Sequence, residues 1–208
     1  MSVHAAYIVD AATEDIVEVV LHDDLSTDVL LDIEEQWAPS RHGLRRRLRA
    51  LRVAREKWPQ SLHWDWGRKG LQLALGDPDD FRVMAIRRQR TWEAAMVTLC
   101  KNQVTLSPPD AGKPLVYIDY LEVAPWNWTV DKCQARKFKA AGAVLLRAAV
   151  EQSFAKGWAG RVGLHALPQA APFYTSQGLQ FVKHDSSKQN LPYYELSAAE
   201  ALTRLGRM

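Results

Sequence analysis

Leu115-Val116-Tyr117-Ile118-Asp119-Tyr120-Leu121-Glu122-Val123 is an apolar run of strand length, and it is followed at a distance by Lys137-Phe138-Lys139-Ala140-Ala141-Gly142. The second stretch is a basic, small-residue turn. It opens directly into Ala143-Val144-Leu145-Leu146-Arg147-Ala148-Ala149-Val150, which has the apolar periodicity of a helix. A strand followed by a small-residue turn at a helix N-terminus is a physical device for holding phosphate. The first-turn N–H groups have no partner inside the helix, and the helix dipole favours negative charge there. Two more pieces follow: a short strand from Arg161 to Ala166, and the segment Pro172-Phe173-Tyr174-Thr175-Ser176-Gln177-Gly178-Leu179.

This order of elements resembles the GNAT N-acetyltransferase superfamily, whose members bind acetyl-CoA. The family turn reads R/Q-x-x-G-x-G/A, and here it is K-F-K-A-A-G. Lys137 replaces the usual Arg or Gln, Ala140 replaces the first Gly, and Gly142 keeps the last position. Phe173 to Leu179 is similar to the family segment F/L-Y-x-x-x-G-F. Tyr120 to Asn127, taken with Leu164 to Ala170, resembles an uncharacterised bacterial subgroup of the superfamily. The resemblance covers the chain well from about Asp80 onward and the first part poorly.

Outside that resemblance, composition sets limits. The chain has 208 residues, 47% hydrophobic and 25% charged, which suits one soluble domain with a proper core. No apolar run reaches the ~20 residues needed to span a bilayer. Met1-Ser2-Val3-His4 is not a basic segment leading into an apolar one, so no signal peptide is expected. Cys100 and Cys133 do not make a disulfide framework, and a reduced, cytoplasmic protein is the simplest expectation. A net charge of +3 is too mild to imply nucleic acid, and it suits an anionic cofactor equally well.

Along the chain, Tyr7 to Val9 and Ile16 to Leu21 predict a hairpin or two short strands about the turn Asp10 to Asp15. Ser26-Thr27-Asp28 predicts the start of a helix that Pro39 ends. A second helix is predicted from Leu44 to Trp58 and a third piece from Trp64 to Leu73. Phe81 to Arg87 and Trp92 to Leu99 read as strands, Tyr193 to Leu196 as the last strand, and Ser197 as the cap of a short terminal helix. The expected fold is α/β: a mixed, mostly antiparallel sheet with helices on both faces and an enlarged helical N-terminal part. Residues 1–78 are expected to form the acceptor side and 79–208 the acyl-CoA-binding core of one domain.

The chemistry follows from what acetyl transfer to an amine requires: a held thioester, a deprotonated amine and a stabilised thiolate. The expected cofactor-binding residues are Lys137, Phe138, Lys139, Ala140, Ala141, Gly142 and Ala143 at the turn. The resemblance adds Leu121 and Val123, whose backbone would pair with the pantetheine arm of acetyl-CoA. It also implies that Tyr174 is the general acid at the cofactor sulfur; the bland alternative is a core tyrosine. Glu122 is the candidate base, against a carboxylate merely paired with an arginine, and Asp119 is the weaker alternative. His165 lines the acceptor site or relays a proton, or is structural. Histidine and cysteine spacing predicts no metal site. Direct attack is the expected mechanism, with Cys133 the only rival nucleophile.

Arg41, Arg45, Arg46, Arg47, Arg49, Arg52 and Arg55 crowd one predicted helix and its approach. A solvated helix surface is the ordinary meaning, and a patch for RNA or an acidic partner is the sharper one. His63-Trp64-Asp65-Trp66 walls an acceptor pocket or seats the helix, with packing favoured. An acetyltransferase acting on an amine acceptor is therefore expected. The rivals are a non-catalytic acyl-CoA-binding protein and a toxin-like enzyme acting on charged tRNA. A nucleic-acid partner is not expected, and the resemblance admits a homodimer.

Overall fold

The computed structural model describes residues 2–130 and 133–205. β1 (Ser2–Asp10) and β2 (Ile16–Leu25) form the expected antiparallel hairpin, with Ala6 opposite Val19 and Val9 opposite Ile16. Its turn is tied by Asp10, whose Oδ1 accepts the N–H groups of Ala12 at 2.9 Å and Thr13 at 3.2 Å.

α1 (Asp28–Ala50) is one helix with Pro39 inside it, which corrects the expectation of two helices. Its buried stripe is Leu30, Ile33, Trp37, Arg41, Leu44 and Leu48. Spacing by three and four runs through the proline without a break. Burial of that whole face outweighs the ~3 kcal/mol a proline costs inside a helix. The helix also stops at Ala50 rather than near Trp58, and Arg52 turns the chain with a φ of 51°. α2 (Trp66–Ala74) is capped by Asp65, whose Oδ1 accepts the Arg68 N–H at 2.8 Å. α2 packs so tightly on α1 that a Cβ at Gly70 would lie 2.9 Å from the Thr27 carbonyl oxygen.

β3 (Phe81–Arg88), β4 (Thr91–Leu99), β5 (Val116–Val123) and the two-residue β6 (Phe138–Lys139) follow. Then come α3 (Ala141–Ala155), β7 (Val162–His165), α4 (Ala171–Ser176), β8 (Gln180–Asp185), β9 (Leu191–Leu196) and α5 (Ala198–Leu205). The nine strands form one sheet in the order β6-β1-β2-β3-β4-β5-β7-β9-β8. β5 and β7 are parallel, as a crossover through α3 allows, while the β1–β2, β1–β6, β2–β3, β7–β9 and β8–β9 pairs are antiparallel. The fold is thus mixed, mostly antiparallel α/β. β8 escaped the sequence reading: Gln180-Phe181-Val182-Lys183-His184-Asp185 is mostly exposed, and an edge strand of that kind shows no apolar alternation.

Two compact units emerge. The first comprises the chain up to Pro78, with Arg82–Met96 and Leu121–Leu145. Its buried residues include Ile8, Val19 and Leu21 of the hairpin, the α1 stripe and Trp66. The second comprises Asp79–Phe81, Val97–Tyr120 and the chain from Leu146 on. There Gln152 of α3 accepts from Thr98 at 2.9 Å and donates to the Cys100 sulfur at 3.1 Å. Glu195 of β9 accepts the N–H groups of Leu106 and Ser107 and so pins the proline-rich loop. Ser197 caps α5, accepting the Glu200 N–H at 3.3 Å. Among the described residues no helix is long and apolar enough to cross a membrane, and no cluster of potential metal ligands occurs.

Candidate functional site

The small-residue turn is built from buried polar anchors. Glu93 of β4 is fully buried and ion-paired with Arg88 at 3.2 Å. Its other oxygen accepts from the Trp126 indole at 2.7 Å and the Asn127 amide at 3.0 Å. Asn127 in turn accepts the Phe138 N–H at 2.9 Å, and the Trp126 carbonyl accepts that of Lys137 at 3.0 Å. β6 then pairs on the edge of β1, Val9 to Lys139 and Asp10 to Phe138. The entry to α3 is therefore fixed from the buried side of the sheet.

Ala140 makes the corner, with a φ of +72°. Left-handed backbone costs a residue with a Cβ about 1–2 kcal/mol, which explains why glycine is usual at this point of the turn. α3 begins at Ala141, two residues before the expected Ala143, and the Ala140 carbonyl accepts the Val144 N–H at 3.0 Å. The N–H groups of Ala141, Gly142 and Ala143 thus precede the first intrahelical bond. Ala141 and Gly142 are buried and Ala143 is half-buried. Of the two turn lysines, Lys139 pairs with Glu14, while Lys137 is exposed with its ammonium 5.6 Å from the Phe138 ring centre.

β5 supplies the second element. Its parallel ladder with β7 runs Val116 to Val162, Tyr117 to Gly163 and Ile118 to Leu164, while the strand itself continues to Val123. Leu121 and Val123 are half-buried and Glu122 is buried, the alternation expected of a strand. Glu122 Oε2 accepts from Arg41 at 2.8 Å and from the Trp66 indole at 2.6 Å. Arg41 also donates to Glu34 at 2.6 Å, and the same Glu34 oxygen accepts the Trp66 backbone N–H at 2.8 Å. Glu122 Oε1 has no well-formed hydrogen bond. Burial pushes the Glu122 pKa up, opposed first by Arg41 and then by Ser61 and Trp66.

Tyr174 lies in α4 and is 6% exposed. Burial alone pushes its phenol well above the ordinary range, so it stays neutral and is a weaker acid than a free tyrosine. The helix ends in a Schellman motif: the Leu179 N–H bonds the Tyr174 carbonyl at 3.1 Å and the Gly178 N–H bonds that of Thr175 at 2.9 Å. Gly178 has a φ of +81°, and that backbone requirement accounts for the glycine of the F-Y-x-x-x-G-L segment.

His165 ends β7 between two partners. Its Nδ1 lies 2.7 Å from the Tyr117 hydroxyl, and its Nε2 lies 3.2 Å from Asp185 Oδ2. The Tyr193 ring lies tilted beside it, the ring centres 4.8 Å apart. Desolvation lowers the His165 pKa against the opposing Asp185 charge, which favours a neutral ring. A neutral ring with Nε2–H toward Asp185 leaves Nδ1 to accept from Tyr117.

Leu121, Glu122, Val123 and the turn from Lys137 to Ala143 belong to the first unit; His165 and Tyr174 belong to the second. None of the hydrogen-bond partners of Glu122 or His165 is another candidate. Sequence reasoning overlooked Arg41, Trp66, Glu93, Asn127, Tyr117 and Asp185 as parts of these clusters. Arg41 carried a usable signal, since it falls on the apolar stripe between Trp37 and Leu44. The tryptophans of His63 to Trp66 serve packing, with Trp66 buried edge-on to Trp37 at 6.0 Å.

No protein-family model matches the chain, and no curated protein matches it. Solved structures do. A GNAT-family acetyltransferase from Listeria monocytogenes is 14% identical, with 92% of this chain and 99% of that one covered at a TM-score of 0.51. An uncharacterized protein from Bacillus halodurans is 13% identical, covering 96% and 93% at 0.55. The PaiA N-acetyltransferase from Thermoplasma acidophilum, solved in complex with coenzyme A, is 13% identical and covers 84% and 97% at 0.50. Identities this low speak for the fold, and the fold of this chain is that of the GNAT acetyltransferases.

Proposed function

We propose that the chain transfers an acetyl group from acetyl-CoA to a primary amine by direct attack. The observation that carries this reading is the anchored turn: a left-handed Ala140 and the Glu93–Asn127–Phe138 chain present the first N–H groups of a fifteen-residue helix. Such a helix end favours a pyrophosphate. In this reading Lys137 to Ala143 hold that group, and the backbone of Leu121 and Val123, beyond the end of the β5–β7 ladder, pairs with the pantetheine arm. Residues 1–78 shape the acceptor side and 79–208 hold the acyl-CoA.

The amine nitrogen attacks the thioester carbonyl carbon. The C–N bond forms, the C–S bond breaks, and the departing thiolate takes the Tyr174 proton. The nitrogen's surplus proton goes to Glu122 or His165. Burial raises the Glu122 pKa against the Arg41 charge, which makes it readier to accept a proton, and His165 is neutral and able to accept as well. The rival reading, acyl-CoA binding without turnover, draws support from Ala140 and from Glu14 and Asp10 beside the turn, which make it a poorer phosphate cradle. The tRNA-directed reading loses ground because Arg41 is buried and Arg47 is bonded to Gln134.

Acetyl-CoA is expected to raise the melting temperature, by an amount set by ~2.7 kcal/mol at a hundredfold excess over its dissociation constant. Gly142→Glu places an anion at the helix end and abolishes that rise. An undiminished rise in a folded Gly142→Glu protein would remove the turn from the site. Mass spectrometry of a cell extract incubated with acetyl-CoA and the protein then separates transfer from binding alone.

A further inference from the structure

The arginines of α1 and its exit do not share one environment. Arg41 is buried against two carboxylates, and Arg47 reaches Gln134 at 3.0 Å. Arg45, Arg49 and Arg55 instead surround a cavity of about 540 Å³, lined also by Trp58, Pro59 and Leu62. That size is typical of small-molecule pockets. The entire lining lies in the first unit, between Arg45 and His63.

The cavity is cationic and pre-organised. Its lining has three arginines against one acid, Glu56, and none of the three forms an ion pair among the described residues. Arg45 and Arg49 sit one helical turn apart on α1, so their guanidinium groups repel unless an anion lies between them. The Arg45 Nη2 donates to the Leu62 carbonyl at 3.2 Å, which holds its fork in place. The Arg55 guanidinium stacks 4.0 Å from the centre of the Trp58 ring, and the Trp58 indole is fixed by the Val53 carbonyl at 2.9 Å. Stacking leaves the in-plane N–H donors of Arg55 free to point at a ligand. The wall behind them is apolar, since Trp58 and Leu62 belong to a buried cluster with Leu44, Leu48 and Val130.

We infer that this cavity binds a small oxyanion, the phosphate or carboxylate group of a small molecule, at a site separate from the proposed acyl-CoA turn. Guanidinium forks match both groups in a bidentate manner. A concave pocket built from Arg45 and Arg49 of α1 and Arg55 beyond its end, with Arg41 and Arg47 bonded elsewhere, favours a small ligand over an RNA backbone, which needs a continuous basic track.

The test is calorimetric titration of the full chain with inorganic pyrophosphate and, separately, with citrate. Wild type, Arg49→Glu, Arg55→Gln and Gly142→Glu are compared. Arg49 and Arg55 are exposed, so their variants keep the core intact. Binding of at least one anion is expected at or below about 1 mM. Each arginine variant should weaken it about tenfold or more, the scale of one charge-assisted hydrogen bond, while the arginine-dependent binding persists in Gly142→Glu. Preference for pyrophosphate or for citrate tells phosphate from carboxylate. No binding of either anion by wild type overturns the inference. So does binding that survives both arginine variants, or that only Gly142→Glu abolishes, which would place the anion at α3. A tRNA that binds more tightly than either anion, and is weakened equally by Arg46→Glu outside the cavity, also overturns it in favour of a basic surface.

Discussion

The sequence offers Glu122 as a base and His165 as an acceptor-site or proton-relay residue, and their surroundings differ in one decisive respect. Glu122 shares a full positive charge with Glu34, through Arg41. His165 sits in a chain with Tyr117 and Asp185 that needs no net charge on the ring. A buried ion pair fixes geometry, because either partner alone is left as an uncompensated charge. A hydrogen-bonded chain around a neutral imidazole permits a proton to move, because donor and acceptor can exchange roles. The first cluster locks its carboxylates to one cation, and the second has the hydrogen bonding that the proposed proton transfer would use.

The most damaging way to break this contrast is Arg41→Met. Loss of the guanidinium leaves Glu122 buried without its cation, and denaturant titration should show a loss of about 3–5 kcal/mol. Arg41→Met with Glu122→Met should recover much of it, because two apolar groups replace two charges. The pH dependence has a definite sign. The Glu122 pKa is raised in the folded state above its ordinary 4.5, so the folded state holds the proton longer and stability falls as pH rises from there through the raised value. Without Arg41 that fall should be steeper and reach to higher pH. A variant as stable as wild type would show that the pair holds nothing.

Second in size is Tyr174→Phe. The ring and its burial stay while the proton donor goes. General-acid contributions run from about 10²- to 10⁴-fold, and a thiolate is a good enough leaving group to put the loss in kcat at the low end. The dissociation constant for acetyl-CoA should move little. Equal kcat with chemistry limiting would make Tyr174 a core residue, and lost affinity would make it part of the binding surface.

A smaller effect comes from pH acting on His165 itself. Its folded pKa is lowered, so the folded state resists protonation. Stability is therefore full above the ordinary value of 6.5 and declines as pH falls through the folded value. His22 is lowered in the same direction by burial and contributes to the same decline. His165→Gln should flatten the loss between neutral and mildly acid pH without removing it. An unchanged slope would mean that the Asp185 contact offsets desolvation in full.

The sequence was most legible where one local rule sufficed. The hairpin, the β5 run and the Ser197 cap each follow from alternation, burial or a capping box, and each is where it was expected. It failed where two rules competed. At Pro39 a local breaker opposed a stripe continuing to Leu48, and tertiary burial won. At Arg41 residue type suggested solvent while position suggested core, and position won. Tyr117 and Asp185 could not have been joined to His165 beforehand, because β5, β7 and β8 meet only through sheet order.

The finest test compares two left-handed corners, Ala140 before α3 and Gly178 after α4, with φ values of +72° and +81°. Ala140→Gly removes a strain of about 1–2 kcal/mol. It also frees the unfolded chain, which takes back about 0.4–1 kcal/mol. A net gain of roughly 0.5–1 kcal/mol remains, about 1–4 °C in melting temperature for a chain of this size. Gly178→Ala should lose a similar amount. The two changes differ in what they do to the ligand. Without the Cβ at Ala140, a pyrophosphate can approach the backbone of the turn more closely, so acetyl-CoA should bind more tightly by more than the stability gain predicts. Gly178→Ala should leave its affinity unchanged, since that corner only ends α4. Equal stability shifts with no change in affinity in either variant would mean that the corner at Ala140 serves the helix and not the cofactor.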